Sequence, residues 1–201
     1  MSKLYFRYGA MNCGKSTNLL QVAHNYEERG MKVVVLKPKI DTKGNDKVVS
    51  RLGISREVDI LISEEDNIYE SLIEYKTNNG ESHCILVDEV QFLKTKQIDE
   101  LLEVVVKLDV PVICYGLRTD FLAEGFEGST RLLLIAHSLE ELKTICKCGK
   151  KGIFNGRIIN GEVVFNGNQV LIDNGDAVEY KSVCAECYLK YKDMYFSKKK
   201  I

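Results

Sequence analysis

Gly9-Ala10-Met11-Asn12-Cys13-Gly14-Lys15-Ser16 decides how this chain is read. It fills every fixed position of the pattern G-x-x-x-x-G-K-[ST]. The glycines let backbone N–H groups turn inward around phosphate oxygens. Lys15 brings a point charge to β and γ phosphates, and the Ser16 hydroxyl suits a Mg2+ ligand. The pattern carries weight between a strand and a helix. Residues 4–8, Leu-Tyr-Phe-Arg-Tyr, read as the strand. Leu19, Leu20, Val22, Ala23 and Tyr26 then recur at helical spacing, up to a C-cap at Gly30. That helix aims its positive end at the anion. A Gly-rich turn carrying Lys and Ser by chance would lack this context. Cys13 reads as a small filler of the loop, with a redox-sensitive thiol as the alternative.

Residues 84–89, Cys-Ile-Leu-Val-Asp-Glu, form an apolar strand ending in two carboxylates. Asp88 suits Mg2+, directly or through water. The next side chain leaves the strand end in another direction, so Glu89 suits a general base facing the acceptor. Without the phosphate loop, the pair would read as a solvated acidic turn. Transfer to water would make an ATPase and transfer to an alcohol a kinase, and these residues do not decide between them. The chain has no Asn-Lys-x-Asp guanine-reading sequence and is too short for a two-domain helicase.

Working outward, residues 33–36 (Val-Val-Val-Leu) read as a buried strand stopped by Pro38. Residues 60–62 and 110–115 read as further strands. Residues 67–76 fit a helix broken at Asn78-Asn79-Gly80. Residues 96–108 fit another, with Ile98, Leu101, Leu102, Val105 and Leu108 on one face. Residues 129–136 read as helical and 139–145 as extended or helical. The polar stretch 41–56 reads as a mobile loop. Apolar strands alternating with helices imply a mostly parallel sheet covered on both faces. Near residue 145 the pattern changes to Gly- and Asn-rich sequence with strand-like runs at 157–159 and 170–172. The expected division is an α/β nucleotide-binding domain over 1–145, a metal-stapled lobe over 146–193 and a tail over 194–201.

The 201 residues suit one domain with a small appendage. Hydrophobic residues make up 45% and charged ones 28%, enough for a soluble fold with a core. Lys+Arg of 28 against Asp+Glu of 29 argues against a protein that coats nucleic acid. No apolar run approaches the ~18 residues of a membrane span. The start, Met1-Ser2-Lys3-Leu4-Tyr5-Phe6-Arg7, meets a charge too soon for a secretion signal. The expectation is a cytoplasmic protein with neither nucleic acid nor membrane as partner.

Of the seven cysteines, four form the pairs Cys146-Lys147-Cys148 and Cys184-Ala185-Glu186-Cys187. In a reducing compartment such pairs point to zinc rather than disulfides. Four thiolates fit a closed tetrahedral site. The alternatives are four unrelated thiols, or a redox dithiol at Cys184 and Cys187. A closed site leaves no open position for chemistry, so its role would be to hold 149–183 as a loop able to fold over a small ligand.

Four stretches, in order, resemble the type II, zinc-containing thymidine kinases. They are Gly9 through Ser16 with Thr17, Asp88-Glu89-Val90-Gln91-Phe92, Cys114-Tyr115-Gly116-Leu117-Arg118-Thr119-Asp120-Phe121, and Tyr180-Lys181-Ser182-Val183-Cys184. The resemblance implies a P-loop, RecA-like, mostly parallel sheet flanked by helices, with a small C-terminal zinc-bound lasso domain. It implies transfer of the γ-phosphoryl of ATP to the 5′-hydroxyl of thymidine, and of deoxyuridine, in deoxynucleotide salvage. By position, Glu89 resembles the base that takes the 5′-hydroxyl proton. Gly9, Ala10, Met11, Asn12, Cys13, Gly14, Lys15, Ser16, Thr17, Asp41, Asp88, Glu89, Val90 and Gln91 match the ATP and phosphate group, with Ser16 and Asp88 at Mg2+. Met11, Phe92, Leu117 and Phe121 match the thymine pocket, and Tyr180 the lasso aromatic. Cys146, Cys148, Cys184 and Cys187 match the zinc ligands. A homotetramer and feedback inhibition by dTTP are also implied.

Three features depart from that pattern. The first cysteine pair is C-x-C where many members have C-x-x-C. The lasso reads Ile172-Asp173-Asn174-Gly175-Asp176-Ala177 where members have Ile-Gly-Gly. Arg51 stands near a customary His, either neutralising phosphate charge or as a plain surface residue. The alternative function is a P-loop ATPase module coupled to nucleic-acid or protein binding. The run at residues 115–121 and the near-neutral charge favour the kinase.

Overall fold

Val33 to Leu36 is apolar at every position because it lies inside a sheet covered on both faces. The computed structural model describes residues 1–41, 44, 46–169 and 178–198. The chain begins β1 (Leu4–Tyr8), α1 (Lys15–Glu27), β2 (Val33–Pro38), β3 (Lys47–Val49), β4 (Ser55–Glu57), β5 (Ile60–Ile62) and α2 (Ile68–Asn79). It continues through β6 (Cys84–Val87), a 3-10 turn (Val90–Phe92), α3 (Thr95–Lys107), β7 (Val112–Gly116), α4 (Glu127–Ile135) and β8 (Ser138–Glu141). Last come β9 (Thr144–Ile145), β10 (Lys151–Gly152), β11 (Phe154–Ile159), β12 (Glu162–Val164), β13 (Val178–Val183) and α5 (Ala185–Lys198).

Six strands form one sheet in the order β5-β2-β6-β7-β1-β8, and every neighbouring pair is parallel. Side chains alternate between its faces. Val34, Leu36, Ile85, Val87, Val112 and Cys114 pack with the apolar sides of α2, α3 and α4. Val33, Val35, Cys84, Leu86, Ile113 and Tyr115 pack with Leu19, Leu20 and Ala23 of α1. The expected parallel sheet with helices on both faces is therefore present. Parallel pairing also brings the loops after β1, β2, β6 and β7 to one edge, where ligands of such sheets bind.

The structure differs from the sequence reading in two places and decides between two readings in a third. Residues 47–57 are not a featureless loop: β3 and β4 pair antiparallel, and Val48 is buried against the α1 face. Of the two readings open for 139–145, the extended one is found: residues 138–141 form an edge strand beside β1, and β9 pairs with β10. The helix α5 runs across residue 194, where a tail was expected. Tyr188, Tyr191 and Tyr195 fall at helical spacing and pack in a third apolar cluster with Phe154 and Phe165, which extends it.

Beyond the main sheet, β12-β11-β13 make a three-stranded antiparallel sheet. The run 170–172 and the lasso segment 172–177 lie outside the described residues. Tyr188 stacks on Phe154 at 4.5 Å and donates its hydroxyl to the Phe121 carbonyl at 3.1 Å, tying α5 to the loop after β7. Among the described residues, no helix is long and apolar enough to cross a membrane.

Candidate active site

The loop after β1 closes tightly. Gly14 has φ +84°, a left-handed conformation that glycine adopts without strain. A Cβ on Gly9 would lie 2.5 Å from Cys13 Sγ and 2.5 Å from the Leu142 carbonyl oxygen, so no other residue fits there. Cys13 thus packs as the small filler of its loop. Gly14 has no side chain to cap α1, and the first turn carries no acid, so the helix end stays positive toward an anion. The Lys15 ammonium turns in to the Ala10 carbonyl at 3.2 Å and to Cys13 Sγ at 3.8 Å. The Met11 peptide is held from the other lobe: its N–H donates to Asn155 Oδ1 at 2.7 Å, and its carbonyl accepts from Ser182 Oγ at 2.5 Å.

Asp88 directly follows β6 and is 4% exposed. Its Oδ1 finds no hydrogen-bond partner among the described residues. Burial, then the neighbouring Glu89 carboxylate, push Asp88 up to about 7. An unpartnered, buried carboxylate oxygen behind the phosphate loop fits a cation or its water shell. Glu89 has φ +47°, a left-handed conformation that costs a side-chain-bearing residue about 1–2 kcal/mol. Such strain gathers at working sites. Glu89 Oε2 accepts from Gln91 Nε2 at 2.6 Å, while Gln91 Oε1 accepts from the Leu117 N–H at 3.1 Å. The backbone donor at Leu117 thus fixes which end of the Gln91 amide faces Glu89. Asp41 pairs with the buried Lys37 ammonium at 3.0 Å.

These loops surround one cavity of about 1170 Å3. Met11, Asn12, Cys13, Gly14, Lys15, Ser16, Thr17, Asp41, Glu89, Gln91, Phe92, Leu117, Phe121 and Tyr180 line it. Arg51 also lines it, on the turn between β3 and β4. Four sequence candidates do not. Gly9 and Ala10 border a separate small recess, Asp88 lies beneath the wall, and Val90 is packed into the core.

The sequence reading missed several participants. Asn155, Gln169 and Phe126 line the cavity. Arg157 lies behind it, 0% exposed. Its Nε donates to the Tyr180 hydroxyl at 2.9 Å and its Nη2 to the Gln169 carbonyl at 3.0 Å. Its guanidinium carbon sits 3.6 Å from the Phe121 ring centre, a close cation–π contact. Nothing in the local sequence marks Asn155 or Arg157, since their partners come from other elements. Ser182 stood inside a quoted motif but carried no assigned role.

The four paired cysteines converge, with their sulfurs within 4.8 Å of one another. Cys148 Sγ and Cys184 Sγ are 3.5 Å apart. Thiolates about 2.3 Å from a tetrahedral zinc would stand close to that far apart. Burial opposes ionisation of Cys146, but the N–H groups of Cys148 and Cys184 and the adjacent thiols bring it down to about 7. The donor set and spacing fit a structural Zn2+.

The doubly covered parallel sheet, with a phosphate-loop sequence opening its first helix, defines a P-loop α/β protein. The family described as "Thymidine kinase" matches residues 2–188. A thymidine kinase of Francisella tularensis subsp. tularensis is 47% identical over 189 residues, covering 92% of this chain and 95% of that one. One from Pasteurella multocida is 51% identical over 195 residues, covering 96% and 98%. One from Enterobacteria phage T4 is 50% identical over 186 residues, covering 92% and 94%. The chain belongs to the thymidine kinase family. A solved structure described as a DNA replication initiation factor overlaps with a TM-score of 0.38 at 16% identity, over 71% of this chain and 40% of that one. That likeness is too slight to bear on fold or function.

Proposed function

We propose that this protein transfers the γ-phosphoryl group of ATP to the 5′-hydroxyl of thymidine, and of deoxyuridine, for deoxynucleotide salvage. One observation carries the reading: a single cavity joins the phosphate loop to Glu89 and to an apolar wall of Phe92, Leu117, Phe121 and Tyr180. The loop N–H groups, the start of α1 and Lys15 hold the phosphates. Lys15 leaves the Ala10 carbonyl to meet them. Ser16 and Asp88 would hold Mg2+, which would supply charge neutralisation for the transferring phosphoryl group. Glu89 takes the proton of the 5′-hydroxyl as that oxygen attacks phosphorus, and Gln91 keeps its carboxylate aimed. The aromatic wall receives the base and excludes water, which would otherwise compete as acceptor. A 5-methyl group changes affinity by only ~1–3 kcal/mol, so deoxyuridine is also accepted.

The structural Zn2+ belongs to Cys146, Cys148, Cys184 and Cys187. Feedback inhibition by dTTP is part of the proposal, since that nucleotide offers the same base together with a triphosphate. A cytoplasmic homotetramer completes it. The test is ADP release from Mg2+-ATP against a nucleoside panel. Release should require thymidine or deoxyuridine and should fall about 10²- to 10⁴-fold in Glu89→Ala. Release indifferent to nucleosides would overturn the kinase and favour an ATPase module coupled to another partner.

A further inference from the structure

The grip on the Met11 peptide comes from one cross-strand pair. Asn155 on β11 stands directly opposite Ser182 on β13. Side chains opposite each other in an antiparallel pair share a face. From that face Asn155 takes the Met11 N–H at 2.7 Å and Ser182 takes the Met11 carbonyl at 2.5 Å. Asn155 is 2% exposed, and its amide also donates to the Thr119 carbonyl at 2.8 Å, in the loop after β7. Two residues along each strand, Arg157 and Tyr180 form the next opposed pair on the same face. That pair holds Phe121 and presents Tyr180 to the cavity. One face of a small sheet thus carries both the nucleoside-side aromatic and the clamp on the phosphate loop.

We propose that Asn155 and Ser182 are positioning residues that couple the two substrates. A nucleoside seated against Tyr180 fixes the β11–β13 pair, and the fixed pair holds the Met11 peptide in the phosphate-binding arrangement. The Met11 N–H is committed to Asn155, which sets the loop N–H groups that remain for the anion. Each substrate therefore tightens the other by the same factor. The inference rests on thymidine being the nucleoside.

Thymidine is titrated calorimetrically into the full chain, with and without a non-hydrolysable Mg2+-ATP analogue. The wild type is expected to bind thymidine about five- to tenfold more tightly with the analogue. Ser182→Ala should bring that ratio to within about twofold of unity, and Ser182→Thr, which keeps the hydroxyl, should restore it. Ser182 lies outside the cavity wall, so both variants should still bind thymidine without the analogue. A wild-type ratio of one, or a full ratio in Ser182→Ala, would overturn the coupling. A wild type that binds ATP analogue but no thymidine would instead overturn the substrate assignment, and the coupling with it. Hydrogen exchange of the wild type needs no variant: thymidine alone should slow exchange across residues 9–17, and unchanged exchange counts against the clamp.

Discussion

Asp88 pairs a cost with a use. Its carboxyl is buried, one oxygen lacks a partner among the described residues, and its ionisation is pushed up to about 7. A raised folded-state value means that the charged form burdens the native state. For metal-free protein the burden is nil below the ordinary carboxyl range, grows as pH rises toward 7, and then levels off. Asp88→Asn should therefore raise the unfolding free energy of metal-free protein at pH 8 by roughly 1–3 kcal/mol. The gain should shrink as the pH falls from 7 to 4, and urea denaturation at several pH values reads it. An Asn variant no more stable than wild type at pH 8 would show that the charge is compensated after all. Glu89 and Asp88 were legible in the sequence because they end an apolar run behind a phosphate loop. Arg157 was not, because its burial depends on Tyr180, Gln169 and Phe121, which lie far along the chain.

At the scale of elements, what was legible follows burial. β2, β6 and β7 are covered on both faces, so apart from Lys37 their sequences are apolar and stand out. β3 and β4 have three residues each, too few to carry a pattern, and β8 is a half-exposed edge whose pattern left strand and helix both open. β11 hides its role differently. Its buried Asn155 and Arg157 look like ordinary polar strand residues until their tertiary partners are known. Arg157 joins β13 to the loop after β7, which makes it a support of the nucleoside wall. Arg157→Lys keeps the charge but loses the planar fork and the ring contact. It should raise the KM for thymidine about tenfold and leave the KM for ATP within about twofold. Tyr180→Phe, which removes only the hydroxyl, should give a smaller rise. Equal shifts in both KM values would mark a general loss of folding instead.

For the molecule as a whole, the C-terminal lobe that carries the cysteine cluster and the main sheet contribute to separate parts of the cavity. The sheet supplies the phosphate loop and the acids, whereas β11, β13 and α5 supply Asn155 and Tyr180 and brace Phe121. The third apolar cluster is small, so metal binding should supply much of its stability, as in other small zinc-stapled units. One zinc per chain is expected by metal analysis. Removing it with a chelator should abolish thymidine binding while most of the far-UV helical signal persists. Thymidine affinity that survives chelation would detach the cluster from the nucleoside side. The sheet order has its own consequence in time. β2 pairs with β5 and β6, which follow it closely in the chain, whereas β1 pairs only with β7 and β8. β1 leaves the ribosome before the other strands of its sheet and must wait for residues 112–116 and 138–141 before it has a neighbour there. Long-range pairing of this kind is slow to nucleate. The phosphate loop hangs from that strand, so the earliest-made part of the catalytic apparatus is among the last to take shape.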